Sequence, residues 1–221
     1  MNHPPLAILL SSTSIRDGES ALLTEMFEVG LKRLHLRKPD EKSVNIAKLI
    51  GSIPEVHHPK IVIHRFPELL KDFNLAGYHH HAREKLIDCQ GTKSRSLHSL
   101  DELKEIQEPL DYCLFGPVYE SISKKGYLPK VSLPELGSVL FGLQKSSSNS
   151  PSVYALGGVR RRKVPELFNL GFDGVCLLGS VWGKKDPVAA FEKYQFLERS
   201  VWAKKEKRKG LLRRILEKET N

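Results

Sequence analysis

Histidine, arginine, serine and paired glycine recur at one kind of position in this chain, the ends of short apolar runs. RLHLR (33–37) carries His35 and ends in Arg37 and Lys38; KIVIH (60–64) ends in His64 and Arg65. GYH (77–79) runs into His79, His80 and His81, and TKSRS (92–96) into Ser96 and His98. After YCLF (112–115) comes a polar loop with Ser121, Ser123, Lys124 and Lys125. VYAL (153–156) is followed by Gly157 and Gly158, and GVCLL (174–178) by Gly179 and Ser180. Together these residues are rich in hydrogen-bond donors and poor in carboxylates. Such a set suits a phosphorylated anion, gripped by cations, hydroxyls and glycine backbone N–H groups. It also suits acid–base work by histidine near neutral pH. It does not suit Mg²⁺, which takes carboxylate oxygens. The run His79-His80-His81 invites a metal, but alternate strand residues face opposite ways. No cysteine or second histidine cluster stands at a zinc spacing from it, so no metal site is expected.

These residues need elements that bring them to one place. From Val153 to Trp182 the order is apolar run, glycine turn, helix, apolar run, glycine turn. Strand, helix and strand in so few residues form a βαβ unit, which demands a parallel sheet. The same alternation covers the chain. Strands are expected at 6–10, 33–37, 60–64, 77–79, 92–96, 112–115, 153–156 and 174–178. Helices are expected at 18–29, 44–53, 68–73, 99–106, 133–143, 165–170 and 187–200. Ser99 followed by Glu102 is a capping box. Eight alternations predict a single-domain (β/α)₈ barrel over residues 1–200, whose functional side chains stand at the C-terminal ends of the strands. Residues 201–221 form a basic, helical C-terminal tail.

Bulk composition agrees. A length of 221 residues and 40% hydrophobic content suit one barrel with one core. No apolar run is long enough to span a bilayer, and MNHPPLAILLSS lacks the basic start of a signal peptide. Three cysteines, Cys89, Cys113 and Cys176, are odd in number and unevenly spaced; Cys113 and Cys176 lie in apolar strand-like runs as buried thiols, which fits a reducing cytoplasm. Of the net charge of +9, the tail carries +6, because Arg199 to Asn221 hold nine basic residues against three Glu. The body is nearly neutral, so it is not expected to bind nucleic acid; the tail is read as a solvated terminus.

LHLRKP (34–39), SRSLHSLDEL (94–103), DYCLFGPVYESISKKG (111–126), ALGGV (155–159) and GFDGVCLLGS (171–180) carry a resemblance. Through them the chain, up to about Phe196, resembles the family of thiamine-phosphate synthase and TenI. The resemblance implies a (β/α)₈ barrel, a homo-oligomer, and substrates of thiamin biosynthesis. The synthase joins a pyrimidine-methyl diphosphate to a thiazole phosphate using Mg²⁺; TenI isomerises the thiazole phosphate to its aromatic tautomer and needs no cofactor. By the resemblance Arg37 is a diphosphate ligand, and Ser96, Ser121, Ser123 and Lys124 also hold substrate. Gly157, Gly158, Gly179 and Ser180 form the thiazole-phosphate cradle. His35 falls where the synthase has glutamine and TenI has histidine.

The departures bear on activity. Pro39 replaces a lysine of the synthase. His64-Arg65 replaces its Asn-Asp pair, turning a magnesium-binding carboxylate into a cation, and the second metal aspartate falls near Glu84. TenI's acid–base histidine after strand six is Pro117 here, so a proton would have to be moved by His35, or else by His79 or His64. The expected function is binding and isomerisation of thiazole phosphate. The alternatives are a divergent synthase, with Arg37, Arg65 and Lys124 partly replacing Mg²⁺, and a non-catalytic thiazole-phosphate binder.

Overall fold

The computed structural model describes residues 5–82, 84–122, 126, 128–146, 150–198 and 200–201. Ser123, Lys124 and the basic tail from Trp202 onward lie outside the described residues.

Eight parallel strands close into a barrel in sequence order: β1 (Ala7–Leu10), β2 (Leu34–Leu36), β3 (Ile61–Ile63), β4 (Gly77–His80), β5 (Thr92–Leu97), β6 (Tyr112–Phe115), β7 (Ser152–Leu156) and β8 (Gly174–Leu177). Closure runs through β1 and β8, where Ile8 pairs with Cys176. The helices around it are α1 (Glu19–Glu28), α2 (Ser43–Gly51), α3 (Leu69–Asp72), α4 (Leu100–Lys104), α5 (Leu133–Ser146), α6 (Val164–Leu170), α7 (Gly179–Trp182) and α8 over residues 187–198. The predicted architecture is thus the observed one, with two local differences. Among the described residues, 81–91 between β4 and β5 contain no helix, in keeping with the helix positions read from the sequence, so the count of eight alternations was one too many. Gly179-Ser180, expected as a turn, opens the short helix α7. The capping box before α4 is present in both directions, with Ser99 Oγ accepting from the Glu102 N–H and the Glu102 carboxylate accepting from the Ser99 N–H.

Strand alternation separates two cores. Outward residues such as Leu9, Leu34, Leu36, Ile61 and Ile63 pack with the helices in one large apolar layer. Inward residues of β1, β6, β7 and β8, among them Ile8, Leu10, Tyr112, Leu114, Tyr154 and Cys176, form a smaller core inside the barrel. On the β2 to β5 side the interior is polar, with His35, His79 and Ser94 buried in it. Burying such groups costs free energy unless each is hydrogen-bonded; here each is. Cys113 and Cys176 are buried free thiols. No helix among the described residues is long and apolar enough to cross a membrane.

Candidate active site

A cavity of about 620 Å³ opens at the C-terminal ends of the strands. Arg37, His64, His79, Ser96 and Ser121 line it, together with Gly157, Gly158, Gly179 and Ser180. Nine of the expected residues therefore converge on one space, although they come from strands and loops spread over 144 positions of the chain.

The glycines at the end of β7 have a packing reason as well as a cavity-lining position. Gly157 and Gly158 both have positive φ, 92° and 64°, where a side chain is strained. A Cβ on Gly157 would lie 2.7 Å from Pro117 Cβ, and one on Gly158 would lie 2.3 Å from the Glu120 carbonyl oxygen. The β7 turn thus presses against the loop after β6, and its backbone reaches the cavity wall because no side chain intervenes.

Arg37 is half-buried, and its guanidinium has no hydrogen-bond partner among the described residues. Its backbone N–H is fixed by Ser11 Oγ at 3.0 Å. A cation held this way at a cavity wall is suited to an anion. Arg65 lies otherwise: its guanidinium donates to the carbonyls of Pro39 and Glu41 and packs over the Phe66 ring. Lys38, read from the sequence as a mouth residue, is withdrawn from the ligand. Its ammonium is fully buried against Glu19, 2.6 and 2.8 Å from the two carboxylate oxygens, and also bonds Ser12 Oγ and the Ser14 carbonyl. Burial pulls the lysine pKa down, and the Glu19 hydrogen bond opposes it. This pair ties the start of α1 to the segment after β2; nothing in the local sequence marks Glu19 as its partner.

The three candidate histidines form one cluster. His35 Nδ1 lies 3.0 Å from His64 Nε2, and His35 Nε2 lies 2.7 Å from the Tyr112 hydroxyl. The rings of His64 and His79 lie 4.2 Å apart between centroids, tilted by 30° to each other. His79 bonds Ser94 Oγ through Nδ1 at 2.8 Å and Ser96 Oγ through Nε2 at 2.9 Å. His35, the first candidate base, is fully buried and lies behind His64 rather than on the cavity wall. It can act on a ligand only through its neighbour. Tyr112 was not foreseen, although an inward tyrosine in an apolar strand needs a partner for its hydroxyl, and that need was the available signal. His80 and His81 do not join the cluster. His80 accepts the Ile87 N–H and His81 is exposed.

Burial holds all three histidines neutral. It pulls the pKa of His79 down to about 3, with His80, Arg37 and Arg95 adding to the effect. His35 is lowered well below 6.5 by burial, then by His79 and Arg33; His64 by burial, then by His79, His35 and Arg37. Burial likewise raises the Tyr112 phenol to about 12.

One nitrogen from each histidine lies within 4.8 Å of the others. A tetrahedral ion about 2.0–2.1 Å from its ligands would have to lie between rings of which two are already bonded, His35 Nδ1 to His64 Nε2 at 3.0 Å. It would also have to break the bonds that the rings make with one another and with Ser96. The magnesium site implied by the resemblance fits poorly. No carboxylate is among the described residues that line the cavity. Glu84, the aligned acid, spends its oxygens on the Tyr78 hydroxyl and the His81 N–H.

A family model described as thiamine monophosphate synthase matches residues 8–181. The thiamine-phosphate synthase of Bacteroides thetaiotaomicron is 24% identical over 196 residues, covering 83% of this chain and 91% of that protein. The crystal structure of a thiamine phosphate pyrophosphorylase from the same organism superposes with a TM-score of 0.74 at 30% identity, covering 88% of this chain and 97% of that one. A thiamine phosphate pyrophosphorylase from Pyrococcus furiosus shares the fold, with a TM-score of 0.71 at 16% identity over 88% and 95% of the two chains. By the extent of the family match and by the barrel it shares with these relatives, the chain belongs to the thiamine-phosphate synthase/TenI family.

Proposed function

We propose that the protein binds a thiazole phosphate and isomerises it by proton transfer, in the manner of TenI. One observation carries the reading: two neutral histidines, His64 and His79, line a cavity whose described walls hold no carboxylate. A neutral imidazole can take a proton at one nitrogen and give one at the other, which an isomerisation requires. The glycine turns after β7 and β8 would hold the phosphate, with Arg37 as its cation and Ser96 and Ser121 as further donors. Ser123 and Lys124 are proposed to extend this grip. Neither a redox cofactor nor Mg²⁺ has a role in this reaction. The test is entry of solvent deuterium into the thiazole in the presence of a chelator.

The names of the relatives support a second reading, a divergent synthase that joins the thiazole phosphate to a pyrimidine diphosphate. It would need Arg37 and Lys124 to carry the diphosphate, since Arg65 is tied to the carbonyls of Pro39 and Glu41. Formation of thiamine phosphate would establish it. Thermal stabilisation by thiazole phosphate with neither activity would leave a binding protein.

A further inference from the structure

An isomerisation takes a proton from one position of its substrate and places one at another. Two cavity-lining histidines could each do half of this, but a buried charge would build up on the first unless its proton were passed on. The barrel interior offers a path. His64 contacts His35, His35 contacts the Tyr112 hydroxyl, and Ser94 contacts His79, at 3.0, 2.7 and 2.8 Å. The remaining link is set by register. Tyr112 pairs with Ser94 across β5 and β6, and Ser94 pairs with His79 across β4 and β5, so all three side chains point inward in one row. The Ser94 side chain thus stands beside the phenol, which burial on balance keeps protonated, its pKa raised to about 12.

Resting on the isomerase reading, we infer that His64 and His79 are base and acid at opposite ends of one internal proton circuit running through His35, Tyr112 and Ser94. His64 Nδ1, which has no hydrogen-bond partner among the described residues, takes the substrate proton. The broken bond's electron pair stays in the heterocycle and shifts along it. His64 passes its Nε2 proton to His35 Nδ1, and His35 passes its Nε2 proton to the Tyr112 oxygen. Tyr112 gives its proton to Ser94, Ser94 gives its own to His79 Nδ1, and His79 Nε2, exchanging its bond to Ser96 Oγ for one to the substrate, releases a proton to the second position. Each relay group gains one proton and loses one, so no charge forms inside the barrel. The histidines end with their tautomers exchanged. A water in the vacated cavity, giving a proton to His79 and taking one from His64, runs the chain back. His35, Tyr112 and Ser94 are positioning residues in this scheme; only His64 and His79 touch the substrate.

Tyr112→Phe removes one oxygen from the circuit and nothing from the cavity wall, and Ser94→Ala cuts the next link. Each should lower kcat at least 10-fold with KM unchanged, and the double variant should be no slower than the slower single, because a chain is cut only once. In wild type, thiazole phosphate deuterated at the departing position and assayed in H₂O should give product without deuterium from the first turnover, since the departing and arriving protons differ. Nitrogen-15 spectra of the resting protein should show the tautomers of His64 and His79 both changing in Tyr112→Phe. Wild-type kcat in both single variants, or the substrate's own deuterium recovered in the product, would overturn the circuit while leaving the isomerase reading intact. No turnover by wild type would overturn the reading on which it rests.

Discussion

His35 Nδ1 lies 3.0 Å from His64 Nε2, and of the two rings only His64 reaches the cavity. The pair therefore divides contact with the ligand from control of the ring that makes it. His64→Asn and His79→Asn should each slow isomerisation by about 10²- to 10⁴-fold, the usual range for a positioned acid or base. Calorimetry with thiazole phosphate should show affinity within a few-fold of wild type. His35→Gln should also lower the rate without weakening binding. A normal rate in His64→Asn would remove it from the chemistry.

Arg37 is a cavity-wall cation whose guanidinium has no hydrogen-bond partner among the described residues. A charge-assisted hydrogen bond contributes about 1.5–3 kcal/mol, so Arg37→Ala should raise the Kd for thiazole phosphate by roughly 10- to 150-fold. Titration calorimetry reads this directly, and unchanged affinity would place the anion elsewhere.

Ser180 lies beside Gly179 at the cavity, just after β8, the strand that pairs with β7. Ser180→Asp would bring a carboxylate against the phosphate, and like-charge repulsion should abolish detectable binding. Normal binding by a folded Ser180→Asp protein would show that the cradle lies elsewhere.

Stability should fall on acidification below about pH 6.5. Above that value the histidines are neutral in both folded and unfolded chains. Below it the unfolded chain takes up protons. The folded chain resists, because burial lowers the pKa values of His35, His64 and His79, with Arg33, Arg37, Arg95 and His80 adding to the effect. Each histidine then contributes up to about 1.4 kcal/mol of lost stability per pH unit. For His79 the loss continues toward a folded pKa of about 3. Urea melts between pH 7 and 5 should show a shallower slope in His79→Asn than in wild type; equal slopes would contradict a buried neutral His79.

The Lys38–Glu19 pair is fully buried. Removing one partner leaves an uncompensated charge, so Lys38→Met should cost about 3–5 kcal/mol. Lys38→Met combined with Glu19→Leu should recover part of that loss. A loss below about 1 kcal/mol for the single variant would mean that Glu19 is solvated or protonated.

The fold was largely legible because its signals are local. The alternation in Leu34-His35-Leu36, the capping box of Ser99 and Glu102, and the glycines after Leu156 each need only a few neighbouring residues to be read. The cavity lining was legible for a related reason: in a parallel barrel, strand ends share a face, so Arg37, His64, Ser96 and Gly157 could be grouped without knowing their distances. What escaped was pairing across the barrel. His35 and Tyr112 stand 77 residues apart and meet only after closure. Lys38 has the composition of a ligand-binding lysine, and only the return of α1 over β2 gives it Glu19. Strand alternation predicts that His35 points inward; it does not tell a ring at the cavity wall from one behind it. Among the described residues, 81–91 contain no helix, although the count of eight alternations implied one; the segment offers only scattered apolar residues, Leu86, Ile87 and Cys89, of which Ile87 and Cys89 pack on the core without a helical turn.

The most direct test incubates the purified protein with thiazole phosphate in D₂O with a chelator present, and follows the thiazole by proton NMR. Conversion to the aromatic tautomer, with solvent deuterium at the new position, is the expected result. No conversion and no exchange, with thiamine phosphate forming once Mg²⁺ and the pyrimidine diphosphate are supplied, would contradict the proton-transfer role of His64 and His79 and establish a synthase.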